Sequence, residues 1–308
     1  MNKYFSLPGY EKFFYLIKIL IQYRAAHEDK FITDHIIDSA YDLPSELIWG
    51  GGRCFNNKTD YKLVADAIAW YDSINLSLKH ICTNSLINED NIHDKKCNEF
   101  FKKYVHLNKD SVTLYSKLLR DYLYQTYGKM PITWSTTLGI TDIDTINQMT
   151  ENDIYVLNYN YNNNNEYLAQ LKYKHNIEIL CAEPCGENCP NRELHYYYKS
   201  KLLMGIPLAK DESLACPYID MHDLPGVQES FNIIQSRKHA ITLNRIDELA
   251  NMGFNKFKIS GRAYSDELWL KVICYYLVKP EYTEQVYNEI YHSYIKQKLK
   301  NQLFNKAS

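Results

Sequence analysis

Three cysteines fall within nine residues, Cys181, Cys185 and Cys189, in the run Leu-Cys-Ala-Glu-Pro-Cys-Gly-Glu-Asn-Cys-Pro, and Cys216 follows in Ala-Cys-Pro-Tyr. Thiolates are ligands for soft or borderline metals, and closely spaced ones let a single loop wrap one centre. The three-residue gaps fit neither a zinc ribbon, which has two-residue gaps in at least one pair, nor a redox Cys-x-x-Cys. An iron–sulfur cage accepts wider and less regular spacing, so the expected cofactor is an iron–sulfur cluster held by Cys185, Cys189 and Cys216. Isolated cysteines such as Cys97 and Cys274 read as small buried hydrophobes. Glu183 stands among the ligands, either as a proton carrier or as the acceptor of a loop N–H. His195 reads as packed or exposed, and His222 carries no assignment.

The elements that must position these groups follow from hydrophobic period. Short apolar strands alternate with amphipathic helices from about residue 34. The expected strands are 35–40, 76–83, 111–115, 131–135, 153–158, 177–182, 239–243 and 255–260. Between them lie helix patterns at 60–73, 117–127 and 244–252, the last opening on Asn244 and closing at Gly253. Eight β-then-α units predict an α/β fold, a (β/α)8 TIM-type barrel, over residues 34–280. Residues 1–33 read as an N-terminal helical extension and 281–308 as a C-terminal helix. A long insertion, 200–235, follows the sixth expected strand, carries Cys216 and is expected to cap the mouth. On Cβ alternation Cys181 is read as pointing inward, deeper than Cys185.

Barrel enzymes keep their chemistry at the C-terminal rim. The residues expected to converge there are Arg53, Asn84, Thr136, Asn160, Cys185, Asn244 and Arg262. Arg53 and Arg262 would present two guanidinium forks, which suit a carboxylate pair such as that of a dicarboxylate donor. Each could instead close a salt bridge at the rim.

Composition narrows the function classes. The chain has 308 residues, 45% hydrophobic and 23% charged, an ordinary globular balance. A net charge of -2 leaves no electrostatic footprint for a long nucleic-acid contact. No apolar run is long enough to span a bilayer, and the stretch 13–21 lacks a signal-peptide cleavage site. Eight cysteines in a chain read as unsecreted imply reduced thiols and a cytoplasmic location. There is no His-Glu-x-x-His, no Gly-x-Ser-x-Gly and no Gly-x-Gly-x-x-Gly.

The Gly-Gly-Gly-Arg loop at 50–53, Thr83-Asn84-Ser85, Glu183-Pro184-Cys185 with Cys189-Pro190, and Phe257-Lys258-Ile259-Ser260-Gly261-Arg262 together resemble the collagenase-like peptidase (U-thirty-two) family. The similarity runs from about residue 35 to residue 278 and is closest to the short, single-domain members. It implies kinship with iron–sulfur proteins of the 4Fe-4S type that hydroxylate a quinone precursor or an RNA base without dioxygen, with prephenate as the implicated oxygen source. The relatives space their four cysteines more widely. Cys54 resembles a position where one relative places a ligand, so the fourth ligand is Cys54, Cys181 or none. The resulting expectation is an oxygen-independent hydroxylase or related modifying enzyme on a small or medium-sized substrate. A collagenase-like peptidase is one alternative, and a non-catalytic iron–sulfur subunit working with a homologous partner is the other.

Overall fold

The computed structural model describes residues 1–52, 59–215 and 226–307, the last seven of these as backbone only. Eight parallel strands close into a barrel in chain order: β1 (Lys3–Pro8), β2 (His35–Asp42), β3 (Ser77–Cys82), β4 (Ser111–Leu114), β5 (Ile132–Trp134), β6 (Ile154–Val156), β7 (Ile177–Cys181) and β8 (Lys256–Ile259). The (β/α)8 expectation holds.

The helices around them are α1 (Phe14–Ala26), α2 (Tyr61–Ser73), α3 (Lys95–Tyr104), α4 (Lys117–Tyr127), α5 (Ile143–Met149), α6 (Asn165–Ala169), α7 (Arg192–Leu203), α8 (Val227–Gln235), α9 (Leu243–Asn251), α10 (Asp266–Leu277) and α11 (Thr283–Ala307). Several start where a short polar side chain takes up a free backbone N–H of the first turn: Asp60 for α2, Asp94 for α3, Ser116 for α4 and Ser265 for α10. Among the described residues no helix is long and apolar enough to cross a membrane.

Two expected elements change. The first stave of the barrel is Lys3–Pro8, inside the segment read as a helical extension; it pairs with β2 on one side and β8 on the other. Its residues alternate as a half-polar strand does, with Phe5 and Leu7 packed under the helices and Ser6 facing inward. Conversely, 239–243 forms no strand. Thr242 caps α9 by accepting the N–H of Arg245, so the chain turns into a helix there and Asn244 lies within its first turn.

Strand alternation divides the barrel into two unlike faces. The outward face is apolar: Phe5, Leu78, Val112, Ile179 and Phe257 belong to one core with Phe13, Tyr276 and Trp269. The inward face carries Ser6, Ser39, Lys79, Thr113, Thr133, Glu178 and Lys258, all buried. A barrel filled with branched apolar layers would need none of these.

Candidate active site

The centre of the inward face is Glu178 on β7. Its Oε1 lies 2.6 Å from Lys79 Nζ and accepts the Ser6 hydroxyl at 2.9 Å, while its Oε2 is 3.7 Å from Lys258 Nζ. Ser39 donates to Ser6 at 3.0 Å, and Lys79 also donates to Ser6 at 2.7 Å. Burial alone would push the carboxyl up, but the two ammonium charges and the hydrogen bonds from Lys79 and Ser6 hold it at about 2. Two lysines flank this one carboxylate, and a second, partly exposed carboxylate, Asp38, lies 4.0 Å from Lys79 Nζ. Burial pushes Lys258 down to about 8, and Lys79 and Arg262 add to that against the pull of Glu178.

Above this cluster the barrel opens at the C-terminal ends of its strands. The opening is lined by Tyr41, Thr83, Thr113 and Thr136, by Glu183 and Arg192, and by Lys258, Ser260 and Arg262. The space is about 630 Å³ with its open side included. Arg262 is braced by Asp42 Oδ1 at 3.4 Å and by the Gly51 carbonyl at 3.1 Å. Lys258 Nζ lies 4.2 Å from the centre of the Tyr41 ring and Arg262 5.9 Å from it, so one aromatic face gathers both cations.

Glu183 is buried at the rim. Its Oε1 accepts the backbone N–H of Cys185 at 3.0 Å and faces Arg192 at 3.5 Å; its Oε2 accepts the Ser260 hydroxyl at 3.4 Å. The loop it starts is pinned at three more points. Tyr159 donates its hydroxyl to the Gly186 carbonyl at 2.7 Å, the Asn188 N–H reaches Asn160 Oδ1 at 3.0 Å, and the Arg192 N–H reaches the Cys189 carbonyl at 3.3 Å. Cys185 packs with Val156, Tyr159 and Leu180, and both Cys185 and Cys189 are buried. Arg192 stacks on Tyr159 at 4.3 Å, and His239 meets the same ring edge-on at 4.4 Å, its Nε2 3.2 Å from the Glu183 carbonyl. Burial pushes the His239 imidazole down, which favours its neutral form.

The expected site residues thus divide. Glu183, Thr136 and Arg262 line one opening, with Cys185 beside it. Asn160 braces the cysteine loop, and Asn84 holds its own loop by donating to the Ile48 carbonyl and accepting from the Leu86 N–H. Asn244 is exposed on α9 and takes no part. Arg53, Cys54 and Cys216 lie outside the described residues, as does His222. Cys181 does not point inward: it pairs in register with Ile259 on the apolar, helix-facing side, and burial pushes its thiol well up. The alternation that sends Glu178 and Leu180 into the barrel sends Cys181 out. Among the described residues no group of three potential metal ligands comes together.

Lys79, Glu178, Lys258, Tyr41 and Arg192 were not singled out from sequence. Their signal was present in part: Lys79, Glu178 and Lys258 are charged residues inside short strands, at alternate positions whose side chains face the barrel axis.

No protein-family model and no curated protein sequence matches this chain. Among solved structures, it is similar to the U32 peptidase Mk0906, with a TM-score of 0.49 and 12% identity, covering 85% of this chain and 94% of that one.

Proposed function

We propose that the chain is an enzyme that modifies a small, carboxylate-bearing substrate at the barrel mouth, beside an iron–sulfur centre to which Cys185 and Cys189 contribute thiolates. The lining of the mouth carries this reading. Arg192, Lys258 and Arg262 line one pocket together with Glu183, which Arg192 contacts at 3.5 Å. The hydroxyls of Thr83 and Thr113 are buried there with no hydrogen-bond partner among the described residues. Buried hydroxyls left unpaired are costly, so a ligand or water that pairs them is favoured. A carboxylate gains most from guanidinium donors, which match it with two parallel N–H groups.

The two described thiols fit half of a four-thiolate set. They are soft donors, four residues apart on one pinned loop, and both lie next to Tyr159. Cys216 and Cys54 are the residues proposed to complete it. Bound there, the cluster would relay electrons from the substrate to an oxygen-donating dicarboxylate, and the finer reading is hydroxylation without dioxygen. Arg262 would orient the substrate carboxylate, Leu180 and Val156 would exclude water on the cysteine side, and Glu183 would accept a proton at Oε2 beside Ser260.

The test is anaerobic reconstitution with iron and sulfide, followed by a count of iron and acid-labile sulfide per chain. Wild type is expected to turn brown and load iron. Cys185→Ala and Cys189→Ala are expected to lose it, with Cys97→Ala and Cys274→Ala unaffected, because both of those thiols are buried among apolar neighbours. Stoichiometric zinc with no iron would remove the iron–sulfur reading.

Peptide hydrolysis is the second reading, and one contact favours it: the Tyr159 ring touches both Cys185 and His239, a thiol and an imidazole. If iron does not load, and Cys185 is alkylated quickly near neutral pH but slowly in His239→Ala, that reading replaces the first.

A further inference from the structure

Lys258 stands where the polar interior meets the pocket. The role of neutralising Glu178 is already filled by Lys79, whose ammonium is 2.6 Å from the carboxylate and 2.7 Å from Ser6. Lys258 is 3.7 Å from the second carboxylate oxygen, too far for a good hydrogen bond. Its other close neighbour is the face of Tyr41, a ring fixed by donation of its hydroxyl to the Ile259 carbonyl at 2.7 Å. The groups that bear on its charge are Glu178 from β7, Lys79 from β3, Tyr41 from β2 and Arg262 from the loop after β8. Their balance and its burial bring it down to about 8. An amine in a pocket sheltered from water and partly unprotonated near neutral pH is a nucleophile toward carbonyl carbon. Arg262, over the same ring, has guanidinium donors beyond those directed at Asp42 and Gly51.

We propose that Lys258 is a carbonyl-reactive amine that forms an imine with a 2-oxo acid seated in the mouth, the acid's carboxylate being held by Arg262. This rests on the small-carboxylate reading above and narrows its substrate class. In the step, the neutral Nζ of Lys258 adds its lone pair to the keto carbon. The carbonyl electron pair moves to oxygen, which takes up a proton as the nitrogen releases one, giving a carbinolamine. The carbon–oxygen bond then breaks with a second proton, and water leaves as the carbon–nitrogen double bond forms. Amine plus ketone gives imine plus water, with no oxidant or reductant. Ser260 and Glu183, linked at 3.4 Å, line the same mouth and can exchange a proton there.

The experiment traps the imine. Full-length protein is incubated with pyruvate or glyoxylate and sodium cyanoborohydride, digested, and its lysines mapped by mass spectrometry. One adduct per chain at Lys258 is expected, and none at that position in Lys258→Met. The trapping rate should rise by about tenfold between about pH 7 and 9, following the deprotonation at about 8. Acetaldehyde, a carbonyl without a carboxylate, should label Lys258 at least about tenfold more slowly. Adducts spread over surface lysines with Lys258 unmodified in wild type would overturn the proposal, and so would equal rates with acetaldehyde and pyruvate. The mapping on wild type does not depend on how well the variant folds. Nor does it need iron. Labelling of metal-free protein supports the imine even where no cluster loads, whereas an unlabelled Lys258 in protein that still binds carboxylates removes the imine and leaves the carboxylate reading standing.

Discussion

Burying one carboxylate between two ammonium groups links the stability of this fold to the protonation of a single side chain. Glu178 is held at about 2 when folded against an ordinary value of 4.5. The stabilisation from that depression is therefore fully present above about pH 4.5 and is lost as pH falls toward 2. Its size is on the order of 3 kcal/mol. Glu178→Gln is expected to lower stability at pH 7 and to flatten the acid limb of a stability–pH profile measured by urea melts; an unchanged acid limb would show that other carboxylates govern it. At the rim the decisive feature is geometry rather than charge. Arg262→Lys keeps one positive charge but loses the planar fork, so binding of prephenate or a similar dicarboxylate, measured by calorimetry, should weaken about 10- to 100-fold while iron content stays unchanged. That corresponds to about 1.5–3 kcal/mol for charge-assisted hydrogen bonds.

Among the elements, the loops at the strand ends fix the mouth by close backbone approach. A Cβ added at Gly51 would lie 2.5 Å from the Thr83 carbonyl, so the loop after β2 could not rest on the end of β3. Gly51→Ala is expected to cost about 1–3 kcal/mol and to loosen Arg262, whose guanidinium leans on the Gly51 carbonyl; thermal melts and carboxylate binding read both effects. Helix periods were legible in sequence because three or more turns repeat the same apolar face, and the 117–127 pattern became α4 with the same limits. Strands here span as few as three residues, too short for a period to separate them from a turn. A short apolar run at 239–243 therefore passed for a strand, while the helix pattern that begins at Tyr10 drew the six-residue Lys3–Pro8 into one extension with it. Face was harder to read than element. The loop from Glu183 to Cys189 was found by its cysteines, but Cys181 and Glu178 take opposite sides of β7, and only pairing with Ile259 and Lys79 assigns them.

For the whole molecule, closure is what makes the inner face dry enough to hold such charges. β1 supplies hydrogen-bonding partners to β2 and β8 together, and α11 buries Val286 and Ile290 in the same apolar layer as α1. Removing residues 1–9 would leave two open sheet edges and give water direct access to Glu178 and Lys79. Such a variant is expected to be aggregated or rapidly cut in limited proteolysis. Protease resistance equal to the full chain would mean that the remaining seven strands reclose without it.

The pairing of Tyr4 with Lys256 also sets a clock. Roughly 250 residues separate the two partners, and a ribosome working at about 5–20 residues per second takes some 10–50 s to make them. Through that interval the first strand can find β2 but not β8, and the nascent sheet keeps an unpaired border. Long-range pairings of this kind slow folding and prolong exposure to other chains. Translation speed and chaperone supply thus bear on the yield of native protein more heavily than they would for a fold whose opening and closing strands were neighbours in sequence.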